Sequence, residues 1–254
     1  MKDMYCYVGD LLGFKNTIMN LGKEEQKRRV GEWTKFIDDS IKKFDNITNY
    51  QLISDTIFIG TESNKNGLTD LINLSKYLLE EGINKSFLLR GAITFGEVDW
   101  DDPRIAFGKS IVEAYNLANN QNWIGTSCGD KLPHIASLWD FDKLFVYPVP
   151  MKKGAIRLLP AVSWKIPTTE QLCRAATDRG LSFKGEALSW ENYGYKIQNT
   201  ILFSMYLEKI KALEKRDLPY TADPSQYYGI MTTTLLEIDM TDIKLVKRIK
   251  DPNK

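Results

Sequence analysis

The pattern of apolar residues in this 254-residue chain predicts an α+β fold, with helices packed on a mostly antiparallel sheet. Within the first 150 residues, short apolar and β-branched runs typical of strands alternate with segments whose apolar residues recur every three or four positions. The resulting order of elements is β-α-β-β-α-β-α-β. This order predicts a ferredoxin-like layer with its helices on one face of the sheet.

The strands are expected where apolar, aromatic or β-branched residues cluster outside the helical segments. Such runs occur at residues 5–8, 86–98, 123–126 and 144–149. Two further runs, within residues 50–60, flank a polar dipeptide. This arrangement predicts a hairpin with Asp55 at its bend.

Three amphipathic helices are expected between these strands, because apolar side chains recur there at the helical period. The three sets are Val30, Trp33, Ile37, Ile41 and Phe44; Leu68, Leu71, Leu74 and Leu78; and Ile111, Ala114, Tyr115 and Ala118. The second helix is expected to end at Gly82, since glycine commonly follows the last helical turn.

The pattern becomes weaker after Pro150. One more strand is expected at residues 157–164, a long late helix at 197–210 and a last strand at 231–238, before a basic tail. We therefore predict a regular domain over residues 1–150 and a C-terminal extension, 151–254, that packs on this domain or continues it.

Composition narrows the function classes. The net charge of +1 gives no basic footprint for nucleic acid, and no apolar run is long enough to span a bilayer. The three cysteines, Cys6, Cys128 and Cys173, are odd in number and widely spaced, which indicates reduced thiols rather than a disulfide framework. With no apolar leader at the N-terminus, a cytoplasmic protein that binds neither nucleic acid nor membrane is expected.

The first strand ends at an acid, Asp10. A buried carboxylate is costly unless it is paired or binds a cation. The following residues, 11–14, precede a candidate helix, whose free N–H groups would suit a phosphate. Two interpretations remain open for this stretch: a metal ligand beside a phosphate-binding loop, or an ordinary strand–turn–helix corner.

Asp55 supplies a second acid at the end of a strand that should neighbour the first. Two carboxylates brought together repel each other, and a shared cation relieves that repulsion. Oxygen-only ligands suit Mg²⁺ or Mn²⁺, which take their remaining ligands from water and phosphate oxygens. The pair Asp10 and Asp55 therefore favours a site for one or two divalent metal ions, although an acid at a turn is also common on structural grounds alone.

Four segments in order then carry a resemblance. They are Asp10-Leu-Leu-Gly-Phe, Ile53-Ser-Asp55, Leu89-Arg90-Gly-Ala-Ile-Thr-Phe-Gly96-Glu97, and Phe107-Gly108-Lys-Ser-Ile-Val-Glu-Ala114-Tyr-Asn116-Leu. In order and spacing they resemble the motifs of class III nucleotide cyclases over roughly the first 125 residues. Within that superfamily the chain is most similar to the bacterial pyrimidine cyclases of Pycsar anti-phage defence, which make cyclic UMP or cyclic CMP.

The resemblance implies a metal site and a cyclase fold. Asp10 and Asp55 match the metal-binding acids of these enzymes, and the carbonyl of Leu11 matches their backbone ligand. The ions would be Mn²⁺ or Mg²⁺, in a two-metal site. Since class III sites form between two chains, the resemblance also implies a homodimer with active sites at its interface.

The resemblance also implies which residues bind the nucleotide. Leu12, Gly13 and Phe14 match the segment that holds the triphosphate. Tyr50 falls where cyclases contact the base, and a phenol there can stack on the base or hydrogen-bond to it. A core tyrosine at the start of a strand would look the same in the sequence.

The chain departs from the purine cyclases at three positions. Gln51 stands where they have Lys, and Val112 and Asn116 stand where they have Asn and the Arg that stabilises the transition state. Asn116 stays a candidate for nucleotide binding. Lys109 and, second, Arg90 are the candidate catalytic cations in place of the missing Arg, although a strand Arg can also serve only in an ion pair.

The resemblance thus implies a cyclase that converts UTP, or less favourably CTP, to the 3′,5′-cyclic nucleotide and pyrophosphate. Its product would act on a downstream effector that the enzyme itself does not contact. Two alternatives stay open: an adenylate or guanylate cyclase, and a cyclase-like nucleotide sensor without turnover. Diguanylate cyclases share such a layer, but their Gly-Gly-Asp/Glu-Glu-Phe signature is absent from the sequence.

Overall fold

A computed structural model describes residues 1–102, 105–165, 168–178 and 194–214. The chain divides into two compact units, residues 1–201 and 202–254, and of the second unit only residues 202–214 are described. The last strand expected from the sequence, at 231–238, lies outside the described residues. All features of the sheet and of the site belong to the first unit.

A seven-stranded sheet forms the centre of the first unit, with the order β2-β3-β1-β4-β5-β7-β6. The strands are β1 (Lys2–Leu11), β2 (Ile47–Ile53), β3 (Thr56–Glu62), β4 (Leu89–Val98), β5 (Gly125–Cys128), β6 (Leu144–Pro150) and β7 (Ile156–Val162). Neighbouring strands are antiparallel except β4 and β5, which are parallel. The predicted mostly antiparallel sheet is therefore confirmed.

Six α-helices are found in the described residues. They are α1 (Phe14–Asn20), α2 (Lys23–Ile41), α3 (Lys65–Asn84), α4 (Lys109–Asn120), α5 (Thr169–Asp178) and α6 (Tyr195–Glu214). The three helices predicted before residue 150 correspond to α2, α3 and α4, and the late helix corresponds to α6. Helix α3 ends at Asn84, two residues beyond the predicted end at Gly82. The Gly82 carbonyl accepts a hydrogen bond from the Phe87 N–H at 2.6 Å, which closes the last turn of the helix.

The helices lie on both faces of the sheet, so the prediction of helices on one face only was wrong. A Cβ built on Gly82 of α3 would lie 3.1 Å from Leu89 of β4, so Leu89 faces α3. Thr94 lies five residues later on the same strand and donates to the Ser110 carbonyl of α4 at 2.8 Å. Because side chains alternate along a strand, an odd separation places them on opposite faces.

The sheet continues past residue 150, because β7 lies between β5 and β6. It pairs with β6 through seven consecutive positions, from Leu144 opposite Val162 to Pro150 opposite Ile156. The sequence predicted this strand but not its place in the sheet. The division of the chain at residue 150 stays a prediction.

Two glycines flank the charged residues at the ends of the two central strands. Gly9 of β1 is paired with Gly91 of β4, and the ring of Tyr7 lies over both. A Cβ at either glycine would lie 2.6 Å from an atom of that ring, closer than van der Waals contact allows. Small residues are therefore needed here, next to Asp10 and Arg90.

Across the described residues, no helix has the length and apolar character needed to cross a bilayer.

Candidate active site

A cavity of about 390 Å³ lies at the end of β1 where the sequence predicted a site. Its walls combine acids and bases: Asp10, Asp55, Arg90, Lys152, Lys196 and the loop of residues 11–15. β1 pairs with β3 so that Asp10 lies opposite Thr56, the residue after Asp55. The prediction that the two acids end neighbouring strands is therefore confirmed.

Arg90 is the main partner of Asp10 and is almost completely buried. Its Nε and Nη2 lie 2.9 and 2.8 Å from the same carboxylate oxygen, Oδ2 of Asp10. Its remaining N–H groups donate to the Asn119 carbonyl and side-chain oxygen and to the Gln121 carbonyl. Arg90 thus joins β1 to the C-terminal end of α4 and the residue after it, and its charge opposes that of Asp10 in the cavity wall.

Asp55 lies in the two-residue turn between β2 and β3. Ser54 has a left-handed backbone, with φ of 60°, which closes the hairpin and places Asp55 next to the end of β1. The Leu11 N–H donates to the Asp55 carbonyl at 3.0 Å, which fixes the turn against β1. Burial raises the pKa of the Asp55 carboxyl above its ordinary value, and the negative charge of Asp10 raises it further.

The loop after Asp10 turns sharply at Gly13, whose φ of 83° is rarely adopted by residues with a side chain. The N–H of Leu12 donates to the Leu88 carbonyl at 2.8 Å, and Leu12 itself is buried. The N–H groups of Leu11 and Leu12 are therefore both used within the protein. Gly13 and Phe14, which follow them, line the cavity and begin α1, a helix of only seven residues.

Sequence reasoning missed two lysines of this cavity, Lys152 and Lys196. Lys152 lies in the tight turn between β6 and β7, and Lys196 lies in the first turn of α6. Burial lowers the pKa of both amines, that of Lys196 to about 8, and the nearby charge of Arg90 lowers both further. A Lys-Lys-Gly turn between two predicted strands was a signal for Lys152, whereas the sequence contains no signal for Lys196.

The donor set fits a divalent cation. Asp10 and Asp55 are two carboxylates in one cavity, and burial, together with the negative charge of Asp10, raises the pKa of the Asp55 carboxyl. Among the described residues, no group of three or more His, Cys, Asp or Glu side chains is placed so that it could hold a metal ion. A protein site with two carboxylates suits Mg²⁺ or Mn²⁺, which complete their shell with water and phosphate oxygens.

The structure does not bring all predicted site residues into this cavity. Lys109 and Asn116, both on α4, line a different cavity of about 590 Å³. The Lys109 side chain is 83% exposed, and its amine lies 3.6 Å from Glu113 on the same helix. Within one chain, Lys109 is therefore not next to Asp10 and Asp55.

Tyr50 is also separate from the cavity that contains the two acids. It lies on the edge strand β2, is 45% exposed, and donates from its hydroxyl to Asp38 of α2 at 3.1 Å. Partial burial and the nearby Asp38 carboxylate raise the pKa of its phenol. The predicted residues thus form two groups: Asp10, Asp55, Arg90 and the loop 11–14 in one cavity, and Tyr50, Lys109 and Asn116 outside it.

Several solved structures share this fold. The guanylyl cyclase domain of the RhoGC fusion protein from the aquatic fungus Blastocladiella emersonii, described as a non-canonical dimer, is 13% identical with a TM-score of 0.51. The match covers 65% of this chain and 96% of that domain. The catalytic core of a rhodopsin–guanylyl cyclase with converted specificity, in complex with ATPαS, is 12% identical with a TM-score of 0.50, covering 64% and 96%.

A bacterial light-regulated adenylyl cyclase is similar as well, at 10% identity and a TM-score of 0.50, covering 70% of this chain and 57% of that one. The chain therefore has the class III nucleotide cyclase fold, which confirms the predicted fold class. No protein-family model matches the sequence, and no curated protein matches it either.

Proposed function

We propose that this chain is a metal-dependent nucleotide cyclase. The observation that carries the proposal is the pair of carboxylates, Asp10 and Asp55, in one cavity with Arg90 and two lysines, at the centre of a fold shared with adenylyl and guanylyl cyclases. The acids suit divalent metal ions, and the cationic groups suit the phosphates of a nucleoside triphosphate. The reaction is attack of the ribose 3′-hydroxyl on the α-phosphate, with pyrophosphate as the leaving group.

Asp10, Asp55 and the Leu11 carbonyl would hold Mn²⁺ or Mg²⁺. The ions supply a lowered pKa for the attacking hydroxyl and positive charge for the leaving phosphates. Arg90 keeps the Asp10 carboxylate in a fixed orientation by bonding to one of its two oxygens. In the loop, Gly13 and Phe14 line the cavity, and we assign phosphate contact to them.

We propose a pyrimidine substrate, UTP before CTP. The chain lacks the Lys, Asn and Arg that purine cyclases carry, with Gln51, Val112 and Asn116 in their places. Tyr50 is an exposed aromatic side chain at the position where cyclases contact the base, and a ring there can stack on a small base. The similarity to the Pycsar enzymes further suggests that the cyclic product is a second messenger in anti-phage defence, acting on a separate effector protein.

We propose that the active unit is a homodimer, in which Tyr50 and Asn116 of one chain complete the cavity that contains the acids of the other. Large apolar side chains on β2, on α4 and just before α4 are exposed in the single chain: Tyr50, Ile53, Phe107, Val112 and Tyr115 are each 45% exposed or more. A partner copy would bury them.

The proposal is tested by incubating the purified full chain with Mn²⁺ and, separately, UTP, CTP, ATP and GTP, with product identification by mass spectrometry. Cyclic UMP or cyclic CMP as the main product supports it. Turnover of ATP or GTP alone would overturn the pyrimidine assignment. Tight triphosphate binding without turnover of any of the four would favour the sensor.

A further inference from the structure

Lys196 lies in the C-terminal part of the chain, far from the segments that resemble cyclase motifs. It lines the same cavity as Asp10 and Asp55, although it follows Asp55 by more than a hundred residues. The helix that carries it, α6, comes after the last strand of the sheet. The cavity therefore contains one cation that the strand–helix core alone would not supply.

Two hydrogen bonds hold the second turn of α6, which directly follows the turn that carries Lys196, against the segment before β5. The Asn199 amide donates to the Asn122 carbonyl at 2.6 Å, and the Thr200 hydroxyl accepts from the buried Ile124 N–H at 2.9 Å. The preceding residue, Gln121, accepts from Arg90 through its carbonyl. One short segment thus positions both Arg90 and the helix that carries Lys196.

The cavity has more cationic than anionic side chains, which favours binding of an anion. Its two carboxylates face the cations of Arg90, Lys152 and Lys196, and Lys15 lies at the rim. Burial and the two neighbouring cations lower the pKa of Lys196, so a negatively charged ligand beside it would favour its protonated form. A polyphosphate chain has the charge and the oxygen acceptors that such a group of cations binds.

We infer that the C-terminal segment supplies Lys196 as a ligand for the terminal phosphates of the nucleoside triphosphate. This inference rests on the proposed function for the identity of the substrate, and it adds a phosphate-binding residue outside the cyclase-like motifs. Lys196 and Lys152 both line the cavity that contains the two acids, so their amines lie where an incoming phosphate would bind. The first turn of α6 is then part of the substrate site.

The test measures binding of inorganic tripolyphosphate to the full chain by calorimetry, without turnover. Lys196→Met keeps the aliphatic part of the side chain. We expect it to raise the Kd about tenfold, the effect of losing one charged hydrogen bond. Lys196→Arg should restore binding to within about threefold, because it restores the charge. Lys27→Met removes an exposed lysine of α2 whose amine lies 3.4 Å from Glu24, and it should leave the Kd unchanged.

The outcomes separate this inference from the proposed function. If Lys196→Met binds tripolyphosphate as the wild type does, or if the wild type does not bind it, the inference is overturned, even if the protein cyclises a nucleotide. A second outcome is that Lys196→Met loses tripolyphosphate binding, Lys196→Arg regains it, and no triphosphate is turned over. This result would support Lys196 as a phosphate ligand and contradict the proposed cyclase function. Unchanged unfolding midpoints among the variants exclude a merely structural effect.

Discussion

Arg90 places two of its nitrogens on one oxygen of Asp10, at 2.9 and 2.8 Å, in the wall of the candidate active site. The side chains are 9% and 17% exposed. The remaining guanidinium N–H groups donate to Asn119 and to the Gln121 carbonyl. The acid at the end of β1 is thus held in place by a cation that is itself held by the C-terminal end of α4 and the residue after it.

This arrangement predicts a large loss of stability when Arg90 is replaced. Arg90→Met removes the partner of a largely buried carboxylate and leaves three oxygen acceptors without their donor. We expect unfolding to become easier by about 3 kcal/mol, as for other broken buried ion pairs. Urea unfolding followed by circular dichroism measures it.

A matched control for Arg90 is Arg157, which pairs with Asp130 at the same 2.9 Å but at the surface, with side chains 49% and 66% exposed. Arg157→Met should cost less than about 1 kcal/mol, because water screens such a pair. Equal losses for the two variants would show that burial does not matter to the Arg90 interaction.

The raised pKa of Asp55 predicts a pH-dependent penalty in the metal-free protein. Below the ordinary carboxyl pKa of about 3.9, the group is protonated in both the folded and the unfolded state, and there is no penalty. As the pH rises past this value, the unfolded state ionises first and is favoured. In EDTA, the Tm of Asp55→Asn should therefore equal that of the wild type at low pH. At neutral pH, the Tm of the variant should be a few degrees higher than that of the wild type.

Added Mn²⁺ should reverse this order, since the ion neutralises the two carboxylates of the wild type but finds only one in the variant. Differential scanning calorimetry with and without Mn²⁺ measures both effects. An Asn variant that is less stable at neutral pH in EDTA would show that the Asp55 carboxylate is well compensated within the protein, and the metal argument would lose its support.

The turn between β6 and β7 offers a second internal comparison, between two adjacent lysines. Lys152 lines the cavity with Asp10, whereas Lys153 is not among the residues of its wall. Lys152→Met should raise the KM for the triphosphate about tenfold through loss of a charged contact, and Lys153→Met should leave it unchanged. Steady-state kinetics decides this, and equal KM values for both variants would remove Lys152 from the site.

The proposed dimer predicts that two inactive variants restore activity when mixed. One variant is Asp10→Ala/Asp55→Ala, and the other is Tyr50→Ala/Asn116→Ala. If each active site takes its acids from one chain and its base contacts from the other, half of the mixed dimers are heterodimers and each has one intact site. The mixture should then reach about a quarter of wild-type activity. Activity that stays at the level of the separate variants would place all four residues within one chain.

Local pattern was enough to predict the hairpin that carries Asp55 and the strand that ends at Asp10. Both depend on residues adjacent in the sequence: an apolar run, then an acid, then a turn. Their proximity followed from topology, because strands joined through a helix and a hairpin in an α+β layer become neighbours. The acidic half of the candidate site was therefore accessible from the sequence.

The cationic half of the candidate site could not be predicted from the sequence, because it depends on contacts between distant segments. Lys152 and Lys196 reach the cavity only through the positions of β6, β7 and α6, and no periodic pattern records that placement. The place of β7 between β5 and β6 was missed for the same reason. The sequence identified Arg90 as a charged residue of a strand. Its pairing with Asp10 could not be predicted, because it depends on the register of β1 against β4.

The central claim is that Asp10 and Asp55 together make this chain a metal-dependent cyclase. The most direct test is the rate of cyclic UMP formation from UTP in Mn²⁺ by the wild type, Asp10→Asn and Asp55→Asn, each shown by calorimetry to be folded. We expect measurable product from the wild type, none in EDTA, and a loss of at least about 100-fold for either variant, since charge stabilisation by a metal ion is worth several kcal/mol. Product formation at the wild-type rate by either Asn variant would contradict it.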